Sequence, residues 1–184
     1  MQILVSALFF VIMVFLMSLV WTNAKGAPWV PTSRQVICRM LEMAELKPGE
    51  VVYDLGCGDG RVLITAARRY GARAVGVEVD PSRYLWTVLA VTLRGLWSRV
   101  KIIRGDLFSV DLGEADVVFT FLLQDTNERL KEKLRRELRP GTRIVSNIFT
   151  FSGLPLDTTD EELHLYLYRI ATPIGGESSR SPGS

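Results

Sequence analysis

The sequence predicts a doubly wound α/β fold, a mostly parallel sheet with helices on both faces and an antiparallel late strand, preceded by one transmembrane helix. Three observations carry this. Short apolar runs alternate with helix-period segments between residues 33 and 170. A glycine cluster, Asp54-Leu55-Gly56-Cys57-Gly58-Asp59-Gly60, separates the first apolar run from the helix-period segment that follows it. From Ile3 to Trp21 the chain is apolar apart from Ser6 and Ser18.

At about 1.5 Å per helical residue, Ile3–Trp21 reaches roughly 28 Å, close to the ~30 Å hydrocarbon core of a bilayer. Residues 1–24 are therefore expected to be a membrane anchor. Thr22-Asn23-Ala24 would suit a cleaved signal, but no basic residue precedes Lys25 and the run exceeds the ~7–15 residues of a signal core. Lys25, Arg34 and Arg39 all follow the run, which by the positive-inside rule puts the main domain on the cytoplasmic side. Residues 25–46 read as a tether and a first helix. Lys25 to Pro31 contains two prolines that hold the backbone extended, and Val36, Ile37, Met40 and Leu41 then recur at helical spacing.

The main domain is expected over residues 47–172. Val51–Leu55 is a short apolar strand, Arg61–Tyr70 a helix and Ala74–Val79 a buried strand. Ser82–Leu96 is helical, with Leu85, Val88, Leu89 and Leu93 in step. Val100–Ile103, the run Ala115–Leu123 and Arg143–Phe149 are further strands, and Asn127–Leu138 is a charged amphipathic helix. Its alternating Arg, Lys and Glu residues read as a solvated face braced by i,i+4 pairs, the other reading being contact with anionic headgroups or a protein substrate. Leu163–Ile170 alternates and reads as the antiparallel strand. Residues 173–184, rich in Gly, Ser and Pro, are expected to be disordered.

Composition narrows the chemistry. The length of 184 residues suits one domain. Two cysteines and one histidine give no disulfide framework and no metal site, and a net charge of +2 does not imply a nucleic-acid partner.

In doubly wound sheets ligands sit beyond the carboxyl ends of the strands. After the first strand, Gly56, Gly58 and Gly60 let the backbone turn sharply against a ligand. The loop reads G-x-G-x-G behind an acid. Asp54 would repel a pyrophosphate and attract an α-amino group. Glu78, at the end of the second strand, is placed to accept both hydroxyls of a ribose, and Asp106, after the third, to accept from an exocyclic amine. Together they describe an adenosine carrying an amino-acid tail. Asp80, before Pro81, reads as a helix N-cap, and Cys57 as a small loop filler. Asp59 and Arg61 read as an ion pair at the helix start.

Through DLGCGDG at 54–60, GVEVD at 76–80 and GDLF at 105–108, the chain resembles the class I S-adenosylmethionine-dependent methyltransferases, whose domain is Rossmann-like. It is more narrowly similar to the small protein-lysine methyltransferases, which include archaeal broad-specificity enzymes and membrane-anchored mitochondrial enzymes acting on ATP synthase and the adenine nucleotide translocase. That likeness rests on PWVPT at 28–32 with Gln35, DLGCGDGR at 54–61, ADVVFTFLL at 115–123 and NERLKEKLRRELRPGTRIVS at 127–146. Ser146-Asn147 departs from the Ser-His expected after the fifth strand.

The resemblance implies S-adenosyl-L-methionine as cofactor. Gly56, Gly58 and Gly60 would approach its methionine portion, Asp54 hold its amino group, Glu78 its ribose and Asp106 its adenine. It also implies methyl transfer to the lysine ε-amine of a protein substrate, at a mitochondrial membrane if the source is a eukaryote. The amine must be neutral to attack, and with an ordinary pKa near 10.4 fewer than about one lysine in a thousand is neutral at pH 7. An apolar channel would raise that fraction by desolvation. Phe121 and Trp29 are the candidate walls, with Phe119 as the alternative to Phe121, and Asn147 offers an acceptor near the fifth strand. A lipid, quinone or RNA acceptor, or a non-catalytic module binding the same cofactor, would fit the same pocket.

Overall fold

The computed structural model describes residues 30–171 together with Val5, Ser6, Phe9 and Met13; the expected anchor as a unit, Trp29 and the expected tail lie outside the described residues. Ser33 caps the helix that precedes the sheet. Its Oγ accepts the Val36 N–H at 3.2 Å, opening α1 (Arg34–Met43), whose Ile37, Met40 and Leu41 are buried. β1 (Val51–Leu55) is buried along its whole length, as a central strand covered on both faces must be. The glycine loop leads into α2 (Arg61–Arg69), and β2 (Arg73–Glu78) follows. α3 (Pro81–Thr92) begins with Asp80 as N-cap, its Oδ1 accepting the Arg83 N–H at 2.9 Å, and Pro81 in the first turn.

The chain continues through β3 (Val100–Arg104), β4 (Val117–Thr120), α4 (Gln124–Glu137) and β5 (Arg143–Asn147). It closes with β6 (Leu156–Asp160) and β7 (Leu165–Arg169). The sheet order is β3-β2-β1-β4-β5-β7-β6. β1 to β5 run parallel, β7 is antiparallel to β5, and β6 is antiparallel to β7.

Strand alternation divides the core into two layers. Val52, Val117, Phe119, Val145 and Leu165 turn toward α1 and α2, with Ala74 and Val100 meeting α2 and α3 farther along the same face. Tyr53, Leu55, Val118, Ile144 and Tyr168 turn to the other face, under α4 and the loop residues Leu112, Phe151 and Leu154. Among the described residues no helix is long and apolar enough to cross a membrane.

Three local features depart from the sequence expectation. β6, Leu-Asp-Thr-Thr-Asp, is almost wholly exposed; its backbone ladder to β7 defines it, so it carries no apolar periodicity. α4 begins three residues before Asn127, at Gln124, with Asp125 in its first turn, where negative charge suits the helix dipole. His164 stands in a turn at φ +52°, ahead of β7. The charged face of α4 is braced within the helix. Lys131 pairs with Glu128, Arg135 with Glu132 and Lys133 with Glu137, though only the last of these three pairs has the expected i,i+4 spacing and Lys133 is itself buried.

Candidate active site

β1 and β4 are neighbours, with the chain leaving β1 toward β2 on one side and leaving β4 toward β5 on the other. Such a reversal opens a crevice at the carboxyl ends of the strands. A cavity of about 660 Å³ lies there, bordered by Asp54, Gly56, Gly58, Glu78, Asp106 and Phe121 among others, and its volume suits a small-molecule site of ~300–1,000 Å³.

The glycine loop is tied to β2. The Gly56 and Cys57 N–H groups both donate to the Val77 carbonyl, at 2.9 and 3.0 Å, and the Gly58 N–H donates to Glu78 Oε2 at 3.0 Å. Glu78 Oε1 accepts the Asp80 N–H at 2.9 Å. A buried carboxylate gripped by two backbone donors is fixed in place, and each oxygen keeps acceptor capacity for a hydroxyl. Gly56 and Gly58 sit at φ +86° and +56°, where a side chain would strain the backbone. Cys57 fills the space under the loop against Gly76, and burial raises its thiol pKa well above the usual range, which makes it inert.

Asp54 is buried beside this loop, and no described side chain donates to it or pairs with it. Burial, then the nearby Glu78 and Asp59, push its carboxyl up to about 7. The Arg83 Nε is also buried with no hydrogen-bond partner, 3.7 Å from Glu78 Oε1. An adenosyl amino acid fits this donor and acceptor set. Its ammonium would neutralise Asp54, and its ribose hydroxyls would meet the fixed Glu78.

The remaining sequence candidates are placed unequally. Asp106 borders the cavity, but its Oδ1 already accepts the Phe108 N–H at 2.9 Å, leaving Oδ2 for a ligand amine. Gly60 does not border the cavity. At φ +76° it is the N-cap of α2, and a Cβ there would stand 2.5 Å from Thr87 Cγ2, so it serves the turn and the packing of α2 against α3. Asn147 does not border it either. Alternation along β5 turns Asn147 to the α1 and α2 side with Val145, and the cavity wall at this strand end is built by Ile148, in the left-handed region at φ +66°, and Phe149. Of the two phenylalanines, Phe121 lines the cavity and Phe119 is wholly buried in the core. Trp29 lies outside the described residues, while its neighbours Val30, Pro31 and Thr32 close one side of the cavity.

Other contributors were invisible to motif reading. The Arg61 guanidinium grips the Asp59 carboxylate and donates from Nη1 to the Thr32 carbonyl at 2.7 Å, so one ion pair fastens the tether over the glycine loop. Thr120, also on the wall, donates from Oγ1 to Ser146 Oγ at 3.0 Å, and Asn127 Nδ2 donates to the same oxygen at 3.2 Å. Asn127 Nδ2 also donates to the Phe149 carbonyl at 3.1 Å, so this buried cluster holds the Ile148–Phe149 wall. Arg129 stacks over the Phe108 ring, 4.7 Å from its centroid, on the part of the cavity wall that Asp106 also borders. These residues line the crevice or support its wall, although they come from six separate segments of sequence.

A seven-stranded sheet in this order, with acids at the ends of β1 and β2 around a glycine loop, defines a nucleoside-cofactor methyltransferase architecture. Residues 54–158 match the model of the ANTKMT methyltransferase domain, and the chain belongs to that family. A protein-lysine N-methyltransferase of Saccharolobus islandicus is 47% identical over 127 residues, covering 68% of this chain and 79% of that protein. The adenine nucleotide translocase lysine N-methyltransferase of Mus musculus is 35% identical over 127 residues, 66% of this chain but 53% of that protein, so the chain spans about half the length of the mouse relative. Among solved structures, an RNA methyltransferase from Salinibacter ruber in complex with S-adenosyl-L-homocysteine superposes with a TM-score of 0.76 at 39% identity, covering 80% of this chain and 98% of that one. The protein is an S-adenosylmethionine-dependent methyltransferase.

Proposed function

We propose that this chain methylates lysine ε-amines of a protein substrate, at a membrane surface to which residues 3–21 anchor it, with the catalytic domain on the cytoplasmic side. The observation that carries the acceptor is the 47% identity to a relative named as a protein-lysine N-methyltransferase over 79% of that relative's length. The membrane part rests on the apolar run Ile3–Trp21 and the basic residues after it.

When bound, S-adenosylmethionine supplies a methyl group on a positively charged sulfur, open to in-line attack by an amine. Asp54 and Glu78 would set the depth and rotation of the cofactor, which decides where its methyl lies relative to the cavity wall. Phe121, Leu122 and Ile148 give that wall apolar surface. A lysine entering between them loses hydration, which favours its neutral, nucleophilic form. Alignment of nitrogen and methyl at near-contact distance supplies most of the acceleration, so no metal or strong base is needed in this scheme.

A second reading has one specific observation behind it: the Salinibacter ruber neighbour is described as an RNA methyltransferase. Incubating the full chain with methyl-labelled S-adenosylmethionine and host membrane and soluble fractions separates the two. Label recovered as methyl-lysine after protein hydrolysis supports the reading; label in RNA or lipid overturns the lysine acceptor while leaving the family intact. Label in protein that is unchanged in amount and identity after deletion of residues 1–24 in cells overturns the membrane part.

A further inference from the structure

An apolar helix stripe ordinarily marks the side that meets the core. In α3 the reverse holds. Thr87 and Val91 face the sheet, while Leu85, Trp86, Leu89 and Leu93 face outward, with Trp97 just beyond the helix end. Trp86 is 62% exposed and Leu93 75%. The stripe is flanked by charge of one sign only. Between Asp80 and Asp106 the sequence contains no acidic residue, and Arg94, Arg99, Lys101 and Arg104 are all exposed there. None of the four makes an ion pair among the described residues. Among the described residues their only side-chain hydrogen bonds are from Arg94 and Arg99 to backbone carbonyls. Lys101 and Arg104 lie on β3, the last strand at this edge of the sheet.

Leucines and tryptophans at helical spacing beside unpaired cations form the composition of a helix that lies in a bilayer interface. We propose that the α3–β3 edge is a lipid-docking surface for an anionic bilayer, with Leu85, Trp86, Leu89, Leu93 and Trp97 entering the headgroup–acyl boundary and the four cations meeting lipid phosphates. Phosphate alone would account for the cations, but exposed leucines gain nothing against RNA, whose grooves and bases are met by polar and aromatic groups. The docking deepens the membrane-surface reading above, yet it stands on α3 and β3 alone. It would fix the rotation of the domain on the bilayer, which attachment at a single point cannot. α3 begins at the cavity, where Arg83 and Val79 line the wall, so docking along α3 brings the cavity mouth near the membrane plane.

The test uses the full chain with Trp21→Phe and Trp29→Phe, so that Trp86 and Trp97 are the only indoles. It is mixed with vesicles of phosphatidylcholine, alone or with phosphatidylglycerol, with or without brominated acyl chains. Flotation reports attachment by any route; quenching reports whether the two indoles enter the acyl region. The docking predicts a blue-shifted emission and quenching that require phosphatidylglycerol and weaken at high salt. Replacing the four cations by glutamine should weaken it by about fivefold per residue, since each contributes ~1 kcal/mol near an anionic surface. Affinity for S-adenosylhomocysteine should be unchanged in that variant, because none of the four borders the cavity. Flotation on both vesicle types without quenching on either would overturn the docking and keep the anchor. Flotation and quenching only on anionic vesicles would support the docking and remove the anchor. A blue shift that follows protein concentration without lipid would assign the stripe to a second copy of the chain, and one produced by RNA without lipid would assign it to nucleic acid; either overturns the proposal.

Discussion

Replacing Asp54 with asparagine should remove a pH dependence that the wild-type cavity builds in. Without ligand, burial and the neighbouring Glu78 and Asp59 hold the Asp54 carboxyl at about 7. The cofactor's ammonium selects the ionised form. The apparent dissociation constant therefore grows with the protonated fraction, by a factor of one plus ten raised to the difference between that pKa and the pH. Between pH 7.5 and pH 5 this predicts an affinity loss of about 80-fold, or roughly 2.6 kcal/mol. The cofactor's α-amino group, with an ordinary pKa near 7.7–8.0, is mostly protonated through that window, and its partial loss of charge near pH 7.5 offsets the effect by less than about twofold.

Asp54→Asn keeps the shape and loses the charge. It should bind more weakly at pH 7.5 by about 1.5–3 kcal/mol, the range for a charge-assisted hydrogen bond, and show a nearly flat profile that meets the wild type toward pH 5. Unfolding provides a second check, with the opposite sign. A carboxyl whose pKa rises on folding binds more protons in the native state, so the unliganded protein loses stability as pH rises from about 4 to 7. The full penalty, of order 4 kcal/mol, is present above pH 7. The asparagine variant should then be more stable than the wild type at pH 8 and similar to it near pH 4. Titration calorimetry with S-adenosylhomocysteine and urea unfolding at several pH values measure both. A wild-type affinity that is flat from pH 5 to 7.5, or an Asp54→Asn variant that binds normally, would refute the assignment of Asp54 to the ammonium.

Three further outcomes follow from the geometry. Glu78→Gln should weaken S-adenosylhomocysteine binding by roughly 1–3 kcal/mol, because it disturbs the grip on the Gly58 and Asp80 N–H groups as well as the acceptance of ribose hydroxyls; calorimetry on a folded variant checks it. Gly76→Ala should destabilise the fold by about 1–3 kcal/mol, since its Cβ would stand 2.4 Å from Leu63 Cδ1 and 2.8 Å from Cys57 Sγ, and a lowered urea midpoint is the readout. Arg61→Ala should free the tether from the glycine loop and speed proteolysis around residues 30–32, while changing global stability by less than about 1 kcal/mol, because the guanidinium is partly exposed.

Much of the parallel sheet was legible because its strands are apolar runs bounded by turns. Val51–Leu55 and Val100–Ile103 need no tertiary information to be read as strands, the second running one residue further, to Arg104, in the structure. The glycine loop and the acids after the first two strands were legible for the same local reason. A ligand that sits over strand ends draws its contacts from the residues that follow each strand, so chain position reveals them.

The sequence by itself therefore determined the order of the elements apart from β6, the loop that turns at Gly56 and Gly58, and the acids Asp54 and Glu78 that share its cavity. Tertiary structure alone decided what lies beyond those motifs. β6 is held by backbone bonds and has no side-chain signature; the Arg61–Thr32 contact joins residues 29 positions apart; and Ile148 and Phe149 form the wall in place of Asn147 because pleating turned Asn147 the other way. The outward stripe of α3 follows the same logic. Periodicity shows that a helix has an apolar face, but whether that face meets a sheet or open solvent depends on which partner the rest of the chain brings to it.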